Sequence, residues 1–432
     1  MDRSLLEQAA ALEPQLIAWR RELHRWPELG FCEMRTSSRI ARVLTELGFD
    51  QVLVGRDVCD GAGRMGVPPQ AVLDAAYEAA EAHGADPEFL PAARDGFTGV
   101  VGVLRCGVGP TVALRFDIDA LPLTEFDEPD RVPVREGFRS ENPGVMHACG
   151  HDGHTAIGLG VATVLAAHRD VLHGTLKLLF QPAEEGVRGA KSLVDKGHLE
   201  GVDYVLGAHM AVSPDGELSL GVNSGASLAT AKYDAVFLGK TSHAGMAPQD
   251  GQNALLAAAT AVLNLHAIPR HSGGDTRINV GKLTAGTGRN IVCGRAALEL
   301  EVRGSTTEAC DYMAASARRI LEAAAAMHGC RVEITCVGAA AGGANSPALA
   351  DLLVETLTEA GIPIRRMEDG AAASEDYAYF TQRVCAQGGQ SCYFYNLSRA
   401  HGFHHGSFDF DEAALVPGVQ AFCAMACRLM HA

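Results

Sequence analysis

Two adjacent carboxylates, Glu184 and Glu185 in FQPAEEG, follow the run HACGHDGH at His147–His154 by about thirty residues. A cysteine, several histidines and an aspartate so near paired glutamates are the inventory of a metal site with a general base beside it, and such a site hydrolyses something. Cys149 and His151 stand two apart in a glycine-containing loop, so both side chains can turn to one point. A thiolate and an imidazole suit a borderline divalent ion. Taken alone, a Cys-Gly-His triplet is more often a turn than a metal site. Its weight here comes from Glu185, His209 and a C-terminal histidine, which stand at strand ends or in loops able to face it. One of Glu184 and Glu185 can bind metal while the other takes a proton from water. The residues by themselves leave that division open. His154 is expected to begin the following helix and bond a neighbour, and His147 to be structural. Asp117 and Asp119 in RFDIDALP leave a strand on one face, and one of them can orient a histidine ligand. A purely structural pairing with Arg115 stands equally beside that reading. A competing chemistry makes Cys149 a thiol nucleophile with His151 as its base.

The elements that must position these groups alternate. Helices are expected at about 5–26 and 36–47, then a loosened excursion between Asp50 and Asp95 that contains GRDVCDGAGRMGVPP and a further helix. Strands at about 98–104, 111–116, 175–180 and 204–208 alternate with helices near 155–167 and 190–196. Such alternation implies an α/β domain with a mixed, mostly parallel sheet and helices on both faces. FDID, FQPAEE and GAHM each end a strand, so their polar groups converge at the carboxyl edge of that sheet, where open α/β sheets place ligands. From about residue 216 the order becomes βαββαβ, that of a ferredoxin-like unit. We therefore expect a catalytic domain at 1–215 and 339–432, with an α+β domain inserted at 216–338.

The chain has 432 residues, a formal charge of −16 and 47% hydrophobic residues, enough apolar material for two cores. So acidic a chain offers no broad basic face to nucleic acid. MDRSLLEQ lacks the basic and then apolar run of a signal peptide, and no stretch approaches a membrane span, so a soluble, cytoplasmic protein is expected. Twelve dispersed cysteines without CxxC pairs argue against a disulfide framework or zinc ribbon.

Eight segments in order, LHRWPELGFCEMRTS, ALRFDIDALPLTE, HACGHDGHTA, FQPAEEGVRGAKSLV, SHAGMAPQDGQNALLAA, GRNIVCGRAALELEVRG, SEDYAYF and HHGSFDFDE, resemble the aminoacylase and carboxypeptidase G metallopeptidases. The similarity covers almost the whole chain. It is greatest to the amidohydrolase branch with hippurate hydrolases and indole-acetyl-amino-acid amidohydrolases, and the excursion resembles p-aminobenzoyl-glutamate hydrolases within it. The resemblance implies a phosphorylase/hydrolase-like catalytic domain and two divalent ions per subunit, zinc or manganese. Cys149, His151, Glu185, His209 and His404 would hold them, with Cys149 bridging and Glu184 as general base and acid. His404 is preferred to His405 by its distance from Phe408. Asp117 would act from behind the ligands. His243 would polarise the scissile carbonyl from a neighbouring subunit, Asn290 would donate a hydrogen bond, and Arg303 would hold the substrate carboxylate. The implied substrate is a small N-acyl or N-aroyl amino acid, p-aminobenzoyl-glutamate first, with indole-acetyl and benzoyl amino acids as alternatives. A homodimer through the inserted domain is implied, or a heteromer with a related subunit. The third reading is a non-catalytic member of such a heteromer.

Overall fold

A proline divides the long apolar stretch at the N-terminus. In the structure, a computed structural model that describes residues 3–369 and 374–431, α1 (Arg3–Ala11) and α2 (Glu13–Arg25) replace the single helix expected there. Pro14 has no N–H for a preceding carbonyl; it sits in the first turn of α2, where none is needed, and so ends α1. α3 (Met34–Glu46) follows, and the excursion then proves to be built into the fold. It supplies an edge strand, β1 (Gln51–Val54), and α4 (Gln70–Ala82), whose Leu73 and Ala80 pack with Cys32 and Met34 in a small satellite core.

β2 (Val100–Arg105), β3 (Thr111–Asp117), α5 (Val132–Arg135), α6 (His151–Ala167), β4 (Thr175–Gln181), α7 (Ala190–Asp195), β5 (Tyr204–Val212) and β6 (Ser219–Val222) complete the first pass. The inserted segment contains β7 (Ala229–Leu238), α8 (Ala254–His266), β8 (Thr276–Ala285), β9 (Arg295–Gly304), α9 (Thr307–Met327) and β10 (Arg331–Ala340). The chain then returns with α10 (Pro347–Glu359), β11 (Ile364–Arg366), α11 (Ala378–Ala386), β12 (Gln390–Ser398), β13 (Ala400–His401), β14 (Asp409–Phe410) and α12 (Leu415–Met430).

Two compact units result. The first holds the described residues up to Ala226, those of 344–369 and those from Tyr379; the second holds 227–343 and 374–378. In the first, eight strands form one mixed sheet in the order β1-β2-β4-β3-β5-β12-β6-β11. β4, β3, β5 and β12 run parallel at its centre, whereas β1, β2 and β6 join antiparallel. β6 lies within the segment expected for the inserted domain but pairs with β12 and β11 in this sheet. β1, β6, β11 and α11 are too short or too weakly patterned to stand out in the sequence. In the second unit β10-β7-β9-β8 form an antiparallel sheet, and alternate residues of β9 (Ala296, Leu298, Leu300, Val302) share a core with α8 and α9. That is the expected βαββαβ order with the strand sequence of a ferredoxin-like fold.

The apolar helix α6 runs through the first core with nearly every residue buried. Gly158 lets it approach β3 and β4, since a Cβ there would lie 2.6 Å from Phe180 and 2.8 Å from Phe116. Residues 412–430 are long and apolar enough to cross a membrane by length and composition, but most of this stretch is buried in the same core.

The beginning of α6 is fixed by charge. Arg20, wholly buried, donates to Asp152 at 2.9 Å, to Asp409 at 2.7 Å and to Glu412 at 3.1 Å. Burial opposes the charge on this guanidinium, yet the three carboxylates raise its pKa. Burial would likewise raise Asp152, but Arg20 and His24, the latter 2.8 Å away, hold it far below the usual carboxylate range. Arg20 thus links α2, the first turn of α6 and the β14 segment. Replacing Arg20 by Ala leaves Asp152 buried without its guanidinium and with His24 as its remaining ring partner, and breaking such a pair costs about 3–5 kcal/mol. Urea unfolding of R20A should show a loss of that size; a loss below about 1 kcal/mol would mean the network contributes no more than a surface ion pair.

Candidate metal centre

Four parallel strands deliver the polar groups to one edge of the first unit's sheet. β3 ends at Asp117 and Asp119 follows; β4 ends at Gln181 and leads to Glu184 and Glu185; β5 carries His209; and the segment after β12 carries His404. Cys149 and His151 come from the start of α6. Gly150 between them has φ +92°, a left-handed conformation that costs glycine little, and it turns the chain into the helix. A Cβ at this position would lie 3.0 Å from Met210, so the turn also needs the missing side chain.

Metal-capable atoms converge in overlapping groups, each with its ligand atoms within 4.8 Å of one another: Cys149 with His151 and His209, Cys149 with Glu185 and His404, and His151 with Glu184 and Glu185. Cys149 belongs to two of these, among five such groups in the described residues. Its Sγ lies 3.3 Å from His209 Nε2, and His404 Nε2 lies 3.5 Å from Glu185 Oε1. Backbone carbonyls select the tautomers: His209 Nδ1 donates to Met210 O at 2.6 Å and His151 Nδ1 to Asp119 O at 2.9 Å. Both Nε2 lone pairs are thereby left for the centre.

The centre is short of positive charge. His151 Nε2 and Glu185 Oε1 are buried without a hydrogen-bond partner. Burial, joined by Glu185 and Glu184, pushes the Cys149 thiol well up despite His151. Burial, against His151 but with Asp119 and Asp117, pushes the Glu185 carboxyl up to about 7. A divalent cation reverses these effects, so soft and hard donors arranged this way fit one.

Other candidates fall outside the centre. His154 donates from Nδ1 to Asp117 at 2.5 Å, and its Nε2 accepts the Met210 amide at 2.8 Å, so neither nitrogen is left for a metal. His147 is buried, and burial pushes its pKa down to about 4. His405 bonds Ser407 at 2.7 Å and meets the Phe126 ring at 5.0 Å, whereas His404, at φ +56° and tied to Ala148 O, faces Glu185. Asp117 lies 2.7 Å from Arg115 and bonds His154, so the hold on His151 falls instead to Asp119. Asp119 also accepts the amides of Glu184 at 3.0 Å and Glu185 at 2.9 Å. The alternation RFDIDA contains both aspartates but no signal to rank them.

The loop bearing the glutamates is strained. Ala183 and Val187 have φ +51° and +61°, conformations that cost of order 1–3 kcal/mol each and persist where surrounding structure imposes them.

The remaining sequence candidates lie in the second unit. His243 Nδ1 accepts the amides of Gly245 at 3.2 Å and Met246 at 3.1 Å, which puts the ring proton on Nε2. Asn290 is next to this turn, its carbonyl accepting the Ala244 amide at 3.0 Å. Arg303, on the sheet face away from the helices, is bound by Glu301 through two contacts of 3.0 and 3.1 Å. Arg277 stands directly opposite it on β8, a neighbour that no motif pointed to.

Residues 113–428 match the sequence pattern of Peptidase family M20/M25/M40. The indole-3-acetyl-aspartic acid hydrolase of Enterobacter agglomerans is 44% identical over 98% of this chain and 97% of its own. One subunit of the p-aminobenzoyl-glutamate hydrolase of Escherichia coli (strain K12) is 43% identical over 98% of each. Among solved structures, an aminobenzoyl-glutamate utilization protein from Klebsiella pneumoniae superposes with a TM-score of 0.84 at 38% identity, covering 98% of this chain and 97% of that one. A dinuclear metal-binding peptidase from Bacillus subtilis does so with 0.66 at 27% identity, covering 98% and 99%. A metal-ready centre on this fold, in a chain that matches these hydrolases end to end, makes the protein a member of Peptidase family M20/M25/M40.

Proposed function

We propose that this hydrolase cleaves the amide bond of N-acyl derivatives of acidic amino acids, p-aminobenzoyl-glutamate first. In this reading Cys149, His151, Glu185, His209 and His404 hold two divalent ions, and Glu184 moves the proton. The observation that carries it is the overlap of the donor groups through Cys149 and His151, with Glu184 at their margin, its Oε2 3.9 Å from His151 Nε2. When bound, the ions supply Lewis acidity toward a carbonyl and lower the pKa of water. Glu184 then takes a proton from the attacking water and returns it to the leaving nitrogen. His243 of a neighbouring subunit would present its Nε2–H to the carbonyl oxygen as charge develops there, and Asn290 would add a donor from the turn beside it.

The amino-acid half is read from the second unit. Arg303 would exchange its pairing with Glu301 for the substrate's α-carboxylate. Arg277, directly across the strand pair and without a carboxylate partner among the described residues, would meet the side-chain carboxylate of aspartate or glutamate. The two relatives named above act on an aspartate and a glutamate conjugate, which supports an acidic amino acid without choosing the acyl group. Indole-acetyl-aspartate is therefore the alternative substrate.

The second unit also reads as a dimerisation domain. Leu255, Leu256 and Leu263 on α8 and Leu283 on the edge strand β8 are exposed, apolar side chains that a second copy or a related subunit would cover. The Escherichia coli relative belongs by name to an enzyme of more than one kind of chain, which supports the heteromer as the other form of this proposal. A cytoplasmic location remains part of the reading.

Glu184→Ala should lower kcat on p-aminobenzoyl-glutamate by about 10²–10⁴-fold at unchanged metal content, the range for a lost general base. Retained hydrolysis by the metal-loaded variant would remove Glu184 from this role. Arg277→Met should raise KM for aspartyl and glutamyl conjugates by about tenfold or more, while the alanyl conjugate changes little. Equal losses on all three would count against side-chain recognition by Arg277.

A further inference from the structure

Glu33 belongs to the FCEMRTS segment, which no step described so far uses. It stands at the N-cap of α3, where a short polar side chain ordinarily accepts the helix's first amides. Glu28 does that work instead, accepting the amides of Arg35 at 2.9 Å and Thr36 at 2.8 Å. The wholly buried Glu33 side chain crosses to the catalytic loop: Oε1 accepts the Ala183 amide at 2.8 Å and Oε2 accepts Thr98 Oγ1 at 2.6 Å.

The bond to Ala183 completes a series. The amides of Ala183, Glu184 and Glu185 point in turn at Glu33 Oε1, Asp119 Oδ1 and Asp119 Oδ2. Asp119 thus holds the two glutamates directly, and Glu33 holds the residue before them. Ala183 is also one of the strained positions, at φ +51°, and Gly30 lies so close that a Cβ there would be 2.9 Å from Ala183 Cβ. A left-handed alanine relaxes toward ordinary backbone angles once its amide is released. We propose that Glu33 is a positioning residue that locks Ala183 in its left-handed conformation and so sets the direction of the Glu184 carboxylate. This rests on the reading of Glu184 as the proton carrier.

The test compares Glu33→Ala, Glu33→Asp, Glu33→Gln and the double variant Glu33→Ala/Ala183→Gly, with Glu184→Ala as control, on p-aminobenzoyl-glutamate in the metal-loaded protein. Glu33→Ala should lower kcat by about 10²-fold, the cost of a displacement of order 1 Å, with KM and metal content unchanged. Glu33→Asp, one methylene too short for Ala183, should behave similarly and serves if the alanine variant does not fold. Glu33→Gln keeps an acceptor for Ala183 and should stay within about fivefold of the parent. Ala183→Gly, free to adopt positive φ, should return about tenfold of the loss in the double variant. Unchanged kcat in the alanine and aspartate variants would overturn the inference, as would a glutamine variant as slow as alanine, a double variant without recovery, or a loss that follows metal content. If Glu184→Ala is inactive while Glu33→Ala is fully active, only the role of Glu33 falls. If Glu184→Ala is itself active, the proton-carrier reading falls first.

Discussion

Buried negative charge at one sheet edge is the constraint the rest of the structure answers. Asp117, Asp119, Asp152, Glu33 and Glu184 are all buried, with Glu185 beside them. Carboxylates out of water are tolerated only where cations or donors compensate for lost hydration. Two of them have a buried guanidinium each, Asp117 with Arg115 and Asp152 with Arg20, and both are held below the ordinary carboxylate range. Glu33 and Glu185 have none, and burial raises them to about 8 and about 7. The contrast separates acids whose charge a guanidinium balances from acids with no such partner; Glu33 of the second kind is held by the Ala183 amide and Thr98, which leaves Glu185 to a ligand. Glu185 is in the second class together with Cys149, and the two share a donor group with His404. A divalent cation is the form of compensation this arrangement fits.

Position is controlled as closely as charge. Arg20 fixes the first turn of α6, hence the neighbourhood of His151, and reaches the β14 segment that follows the His404 loop. Asp119 connects His151 to the Glu184–Glu185 backbone, so a proposed ligand and the proposed base share one support. Left-handed residues at Ala183, Val187 and His404 mark the places where the chain is bent to aim a side chain. Strain of this kind persists only where surrounding bonds over-determine the conformation. Folding stability is in this way spent on geometry at the candidate site.

Much of this is legible in the sequence, for physical reasons that differ from element to element. β3, β4 and β5 are apolar runs ending in polar groups, so their direction and the edge they serve can be read together. The βαββαβ unit announces itself by alternation in β9 and by the long amphipathic α9. The division between Glu184 and Glu185 is not legible, because adjacent carboxylates have the same local pattern; it comes from the resemblance alone. Asp117 and Asp119 cannot be ranked for the same reason, since only the position of His151 relative to α6 makes Asp119 its holder. Glu33 is invisible because its partner is 150 residues away in the chain. β6 and β11 are recognised only by the strands they pair with. Pro14 is a readable helix break, and a reading that follows apolar periodicity through it merges two helices into one.

The most direct test of the account is metal stoichiometry in metal-free protein reloaded with Zn²⁺ or Mn²⁺, read by elemental analysis with thermal unfolding on the same samples. The account predicts two ions per chain and a higher Tm, as expected for a ligand bound only by the folded state. Cys149→Ala, which removes the donor common to two groups, should lose at least one ion and most of the rise in Tm, whereas His405→Ala should keep both. A parent protein that binds no ion, or a Cys149→Ala variant that holds two with the parent's Tm rise, would contradict the centre described here.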